Sequence, residues 1–253
     1  MKGTFRITLE YLKELGACRE GQREFQKAFP DGGEYQEVLD RCADKGRIDF
    51  GMWLLSRIGR TEDVRTYNEE VDDSKKNIVF AGRVEFKFGV KAMRIIAGWG
   101  IKAGWGIEAG EGIEAGGGIE AGCGIEAGEG IKAGWGIKAG WGIKAGEGIK
   151  AGCGIKAGEG IKAGWGIKAG YGIKAGCGIE AGYGIKAGCG IEAGGGIEAG
   201  WGIEAGCGIE AGEDFCVFAG LCVRKGRWEV SAVVSAKVEP RNLMSGFWRP
   251  LEK

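Results

Sequence analysis

The sequence predicts an α+β chain: a small N-terminal helical domain, then a β-solenoid (β-helix) closed by a C-terminal β cap. Three observations carry this. Isoleucine recurs at every sixth residue from Ile101 to Ile209, nineteen times without exception, and alanine follows each one two residues later. Glycine supplies 54 of 253 residues, far above its usual share, and is concentrated in the same segment. Ahead of that segment the apolar residues follow helical spacing between capping and stopping residues.

The elements follow in chain order. Thr8 is placed to cap "LEYLKEL", and Gly16 to stop it. "CREGQREFQKAF" carries Phe25, Ala28 and Phe29 along one side; "PDGG" is a turn; "EYQEVLDRCA" and "FGMWLLSRIG" supply two further helices, the last ending at Gly59. Helix is expected to about Val71, and the head domain spans 1–75. From Ile78 the period falls to two, and "VEFKFGV" reads as strand, so 76–97 is a lead-in that caps the solenoid. The repeat proper covers 98–212. In 213–253, Phe215, Val217, Leu221 and Val223 keep the phase, and "WEVSAVVSAKV" reads as a closing strand before Pro240.

Each hexad reads I-[KE]-A-G-x-G. Isoleucine and alanine, two apart, point to one face of a strand, and the charge between them points to the other. Glycines on either side of x are expected to allow positive φ and a sharp corner. Two or three hexads close one coil. An aliphatic residue every six resembles the three-sided left-handed hexapeptide β-helix, but the small residue of that family lies two before the aliphatic one. Here that slot is x, and it admits tryptophan and glutamate. A flat two-sided coil, isoleucine facing alanine, is therefore favoured, giving about ten coils and roughly 45 Å of length. The variable slot leaves the circumference open: Tyr171 and Tyr183 match at twelve residues, Glu111, Glu129 and Glu147 at eighteen.

The string Leu15-Gly16-Ala17-Cys18, with Gly21, Phe25, Phe29-Pro30-Asp31-Gly32 and Trp53-Leu54-Leu55, resembles a small helical module at the front of uncharacterised bacterial and phage repeat proteins. The resemblance covers under a third of the chain and implies no activity.

Function is bounded mostly by absence. The chain has no histidine, which removes the commonest general base, every Ser-His or Cys-His couple and the usual histidine-containing zinc sites. Nine cysteines, five of them in the variable slot and none in a Cys-x-x-Cys pair, favour reduced thiols over a disulfide scaffold or a metal site. "GWGIKAG" resembles a piece of a phosphate loop, but it recurs throughout the repeat and has no strand-to-helix setting. No catalytic residue, metal or cofactor is expected. "MKGTFRITLEYLKELGAC" lacks a continuous apolar core, so neither signal peptide nor membrane anchor is expected, and the cytoplasm is the expected location.

What remains is decoration. The 35 basic and 35 acidic side chains cancel, yet they are blocked. Lys132, Lys138, Lys144, Lys150, Lys156, Lys162, Lys168 and Lys174 form a basic waist between runs of glutamate, broken only by Glu147 and Glu159 in the variable slot. Like charges stacked at strand spacing repel, so blocking costs stability. Either duplication copied blocks of one sign, or the waist serves an anionic partner.

Trp135, Trp141, Trp165, Tyr171 and Tyr183 in the variable slot would line solvent-facing edges and mark an interface; the alternative is that they fold back over the glycines. Lysines among aromatic rings suit phosphates and bases, although a belt without arginine is a weak nucleic-acid signal. The expected function is a non-enzymatic interaction protein that presents a rigid surface to a protein complex or an anionic macromolecule, nucleic acid included. Two alternatives stand beside it: a phage-encoded inhibitor of a bacterial defence complex, acting by steric block, and a self-assembling structural protein whose edges pair to form a homodimer or filament.

Overall fold

The computed structural model describes residues 5–251. Residues 1–4 and 252–253, which fall in the expected head and cap, lie outside the described residues.

The head holds four helices: α1 (Leu9–Glu14), α2 (Arg19–Ala28), α3 (Tyr35–Asp44) and α4 (Ile48–Ile58). Thr8 caps α1, its hydroxyl accepting from the Tyr11 N–H at 3.2 Å. Gly16 and Gly59 take positive φ (81° and 92°) where α1 and α4 stop, as expected of helix ends. A short antiparallel pair, Arg6–Ile7 with Gly33–Glu34, ties the chain ahead of α1 to the turn before α3.

Helix ends earlier than the sequence suggests. Val64–Tyr67 is already a strand, parallel to Arg83–Phe86, so the solenoid begins inside the expected head. It lacks the Ile-x-Ala signature because Arg65 and Tyr67 take those places in its first strand, Tyr67 stacking on Phe86 with ring centroids 4.9 Å apart. Arg65 pairs in register with the buried Val84, directs its guanidinium to both carboxylate oxygens of Asp40 in α3 (2.8 Å each), and lies 4.6 Å over the Phe80 ring. Val79, Ala81 and Ile96, on the outer side of the first coils, join the core of the head. The Gln36 amide of α3 bonds the Val79 carbonyl and the Ala81 N–H, both at 2.9 Å, occupying strand groups that would otherwise be open to another chain.

The coil has three sides, not two. Strands pair in parallel with the strand eighteen residues on, Ile137 with Ile155 and Ile131 with Ile149, building three sheets. Sheet I has nine strands and runs from Val64–Tyr67 to Ile209–Glu210; sheet II has ten, from Val71–Asp72 to Leu243–Ser245; sheet III has ten, from Asn77–Phe80 to Phe247–Trp248. Each coil visits I, II and III in turn, with a corner after each.

Isoleucine and alanine of the repeat are buried, at most 6% exposed from Ile101 to Ile209. Each isoleucine so buried contributes about 2 kcal/mol. Three sides satisfy the same inward pattern as two, since both need an apolar residue every six; in the three-sided coil, isoleucines and alanines from all three walls fill a common axis.

The glycines do a different job from the expected one. No repeat glycine has positive φ among the described residues. The glycine after alanine is required by stacking: a Cβ on Gly134 would stand 1.9 Å from the Gly116 carbonyl oxygen. With no Cβ there, corner backbones approach closely enough to bond, as Gly134 N–H does to Ala115 O at 2.9 Å.

"VEFKFGV" is likewise not one strand; it turns a corner at Lys87–Gly89 between Arg83–Phe86 in sheet I and Val90–Ala92 in sheet II. Beyond the repeat, Val217 and Ala219 occupy the isoleucine and alanine places, whereas Phe215 and Leu221 are exposed. The expected closing strand is split into helix α5 (Trp228–Ser231) and strand Val233–Ser235, and two more strands follow Pro240.

Candidate binding surface of the solenoid

The middle residue of each repeat strand stands on a flat outer face, and the variable residue stands on a corner. With the circumference known, the linear waist resolves into columns about 4.8 Å per rung. Sheet I carries Lys102, Glu120, Lys138, Lys156, Lys174, Glu192 and Glu210. Sheet II carries Lys91, Glu108, Glu126, Lys144, Lys162, Glu180 and Glu198. Sheet III carries Glu114, Lys132, Lys150, Lys168, Lys186 and Glu204.

At the edges of the lysine runs the two side chains pair: Lys132–Glu114, Lys138–Glu120, Lys144–Glu126, Lys162–Glu180, Lys174–Glu192 and Lys186–Glu204, at 2.5 to 3.2 Å. The expected repulsion is therefore relieved at every rim of the waist. Glu126 also raises the Lys144 pKa, chiefly by its hydrogen bond.

Among the described residues, the waist lysines without a carboxylate within 4 Å are Lys150, Lys156 and Lys168. All three flank one corner, that between sheets III and I. Its column is Trp135, Cys153, Tyr171, Cys189 and Cys207, stacked by backbone bonds of 2.9 to 3.1 Å. Lys150 and Lys156 stand either side of Cys153; Lys168 and Lys174 stand either side of Tyr171; Lys132 and Lys138 stand either side of Trp135. Trp135 is 52% exposed and Tyr171 64%. Gly117, one rung below Trp135, leaves room for Trp135 to meet Trp99 edge to face at 5.8 Å, and Arg60 of the segment after α4 covers Trp99 at 3.8 Å.

The other expected site residues are dispersed. Lys144 and Lys162 lie on sheet II, Trp141 on the corner between I and II, and Trp165 and Tyr183 on the corner between II and III. That last corner is acidic at its other end, with Glu111 and Glu129 held by Arg94 at 2.6 and 3.1 Å. Lys186, which completes the sheet III column, falls outside the contiguous run of lysines; its signal is its distance of eighteen from Lys168, readable only once the ring size is known. The rings lie on the corners and are exposed there.

Cys177 and Cys189 stand on different corners, and no cluster of three or more metal-ligating side chains occurs among the described residues. The described cysteines are free. No helix among the described residues is long and apolar enough to cross a membrane.

Fold and surface together define a capped, three-sided parallel β-solenoid with a helical head and a basic, aromatic ridge along one corner. Residues 1–61 match the family described as the YdhT N-terminal domain. No curated protein and no solved structure matches the chain.

Proposed function

We propose that the protein is a non-enzymatic interaction protein that holds an anionic macromolecular partner along the corner between sheets III and I. The observation that carries this is the convergence of Lys150, Lys156 and Lys168, the unpaired members of the waist, around Cys153 and the exposed Tyr171. An unpaired lysine gives up no internal ion pair when it meets a phosphate or carboxylate, so the ridge is the part of the waist where contact costs least. Backbone bonding from coil to coil fixes the spacing of the charges and rings before contact, which lowers the ordering cost of binding. Exposed rings between lysines add stacking and apolar area.

Affinity capture with the full chain, read by mass spectrometry of protein and by sequencing of nucleic acid, tests the reading against Lys150→Glu/Lys156→Glu/Lys168→Glu. A partner held by the intact chain and released by the triple variant is expected. A partner retained equally by both would overturn the ridge as its site.

A further inference from the structure

The three faces differ in how they meet a copy of themselves. When two identical faces pack with their stacks antiparallel about a two-fold axis along the strands, rung n meets rung m and m meets n. Sheet III, with Lys132, Lys150, Lys168 and Lys186 in succession, would oppose lysine to lysine. Sheet II reads plus, minus, minus, plus, plus, minus from Lys91 through Glu108, Glu126, Lys144, Lys162 and Glu180. About the midpoint between Glu126 and Lys144, every rung of that run meets its opposite: Glu126 with Lys144 of the copy, Glu108 with Lys162, and Lys91 with Glu180. All six side chains are exposed.

The rim of the same face carries apolar area for such a contact to cover. Trp105 is 54% exposed, Trp141 60% and Phe88 40%, and both tryptophans line the trough over sheet II. Charge complementarity over six rungs sets the register, and the rim aromatics contribute the apolar burial that charge pairs alone do not.

We propose that the outer face of sheet II is a homodimer interface between antiparallel copies of this chain, separate from the basic ridge. Sedimentation velocity of the full chain, from low to high micromolar concentration at low and high salt, reads it. The expected result is a dimer at low salt that dissociates as salt rises. Glu108 and Lys162 are three rungs apart in one chain and are not partners there, Glu108 pairing with Lys91 and Lys162 with Glu180. Glu108→Lys and Lys162→Glu should therefore each weaken the dimer about tenfold, and the double variant should restore it through contacts that exist only between copies.

A monomer at every concentration, singles as tight as the parent, or a double variant no tighter than the singles would each overturn the proposal. Lys150→Glu/Lys156→Glu/Lys168→Glu should leave the dimer intact, so loss of ridge binding and loss of dimer are read separately.

Discussion

Gly152→Ala tests why the repeat needs glycine. The added Cβ would stand 1.9 Å from the Gly134 carbonyl oxygen and 3.0 Å from its carbon. Reaching ordinary carbon–oxygen contact means opening two coils by more than about 1 Å at that corner. Two coil-to-coil bonds run through the opening, Gly152 N–H to Ala133 O at 3.0 Å and Cys153 N–H to Trp135 O at 2.9 Å. At about 1 kcal/mol for each bond, and more where a group is left without a partner, the cost comes to about 2 to 4 kcal/mol.

Gly110 occupies the same place in its hexad, but the coil beneath it carries Met93-Arg94, and a Cβ there meets nothing within 4 Å. Gly110→Ala should be neutral, or stabilising by about 0.5 kcal/mol through the unfolded chain. Guanidinium unfolding followed by circular dichroism gives the comparison. Amide exchange at Gly152 and Cys153 reports local opening where the rod unfolds in segments. Equal stability of the two variants, with unchanged exchange at Cys153, would refute the stacking account and return the glycines to a role in corner conformation.

Three further outcomes are expected. If the ridge partner is single-stranded nucleic acid held by its three free lysines, log K should fall with log salt at a slope of about −2, and the triple glutamate variant should lose the binding; fluorescence anisotropy measures both. Asp40→Ala, which leaves the Arg65 guanidinium at the end of the core without its carboxylate, should loosen the junction of head and solenoid by about 1 kcal/mol, limited by solvent screening, and limited proteolysis between α4 and residue 83 should speed up. Burial, with the nearby Asp49 carboxylate, pushes the Cys42 thiol up from 9.0 to about 12. The unfolded thiol ionises first, so this group's contribution to head stability falls as pH rises from about 9 towards 12, and Cys42→Ala should flatten that part of a melting-temperature profile.

Much of this molecule was legible because its core uses one rule. Isoleucine and alanine two apart and six apart leave a single way to point inwards, and each from Ile101 to Ile209 is buried. Ring size was not legible, because inward residues every six suit a coil of twelve or of eighteen alike. The sign boundaries that do respond to ring size, such as Lys186 against Glu204, look like arbitrary neighbours in a linear reading.

The N-terminal end escaped for a different reason: there the core is closed by single tertiary contacts, Arg65 with Asp40 and Gln36 with a strand backbone, which have no periodicity to read. The candidate surface was legible in composition and not in place. Eight lysines along the chain made a belt; folding distributes them over three sheets, neutralises several at the rims and leaves the free ones at one corner.

A three-sided coil also dictates how such a chain can change length. Deleting one hexad would carry everything downstream through a third of a revolution, so that α5, which now closes the trough on the same side as the head, would turn to another side of the rod. Deleting three hexads would only shorten the rod by one storey and leave both ends in step. Only changes in multiples of eighteen residues therefore keep the two ends in step, and a length that breaks the count would alter which way the ends look while the remaining isoleucines and alanines kept their inward places.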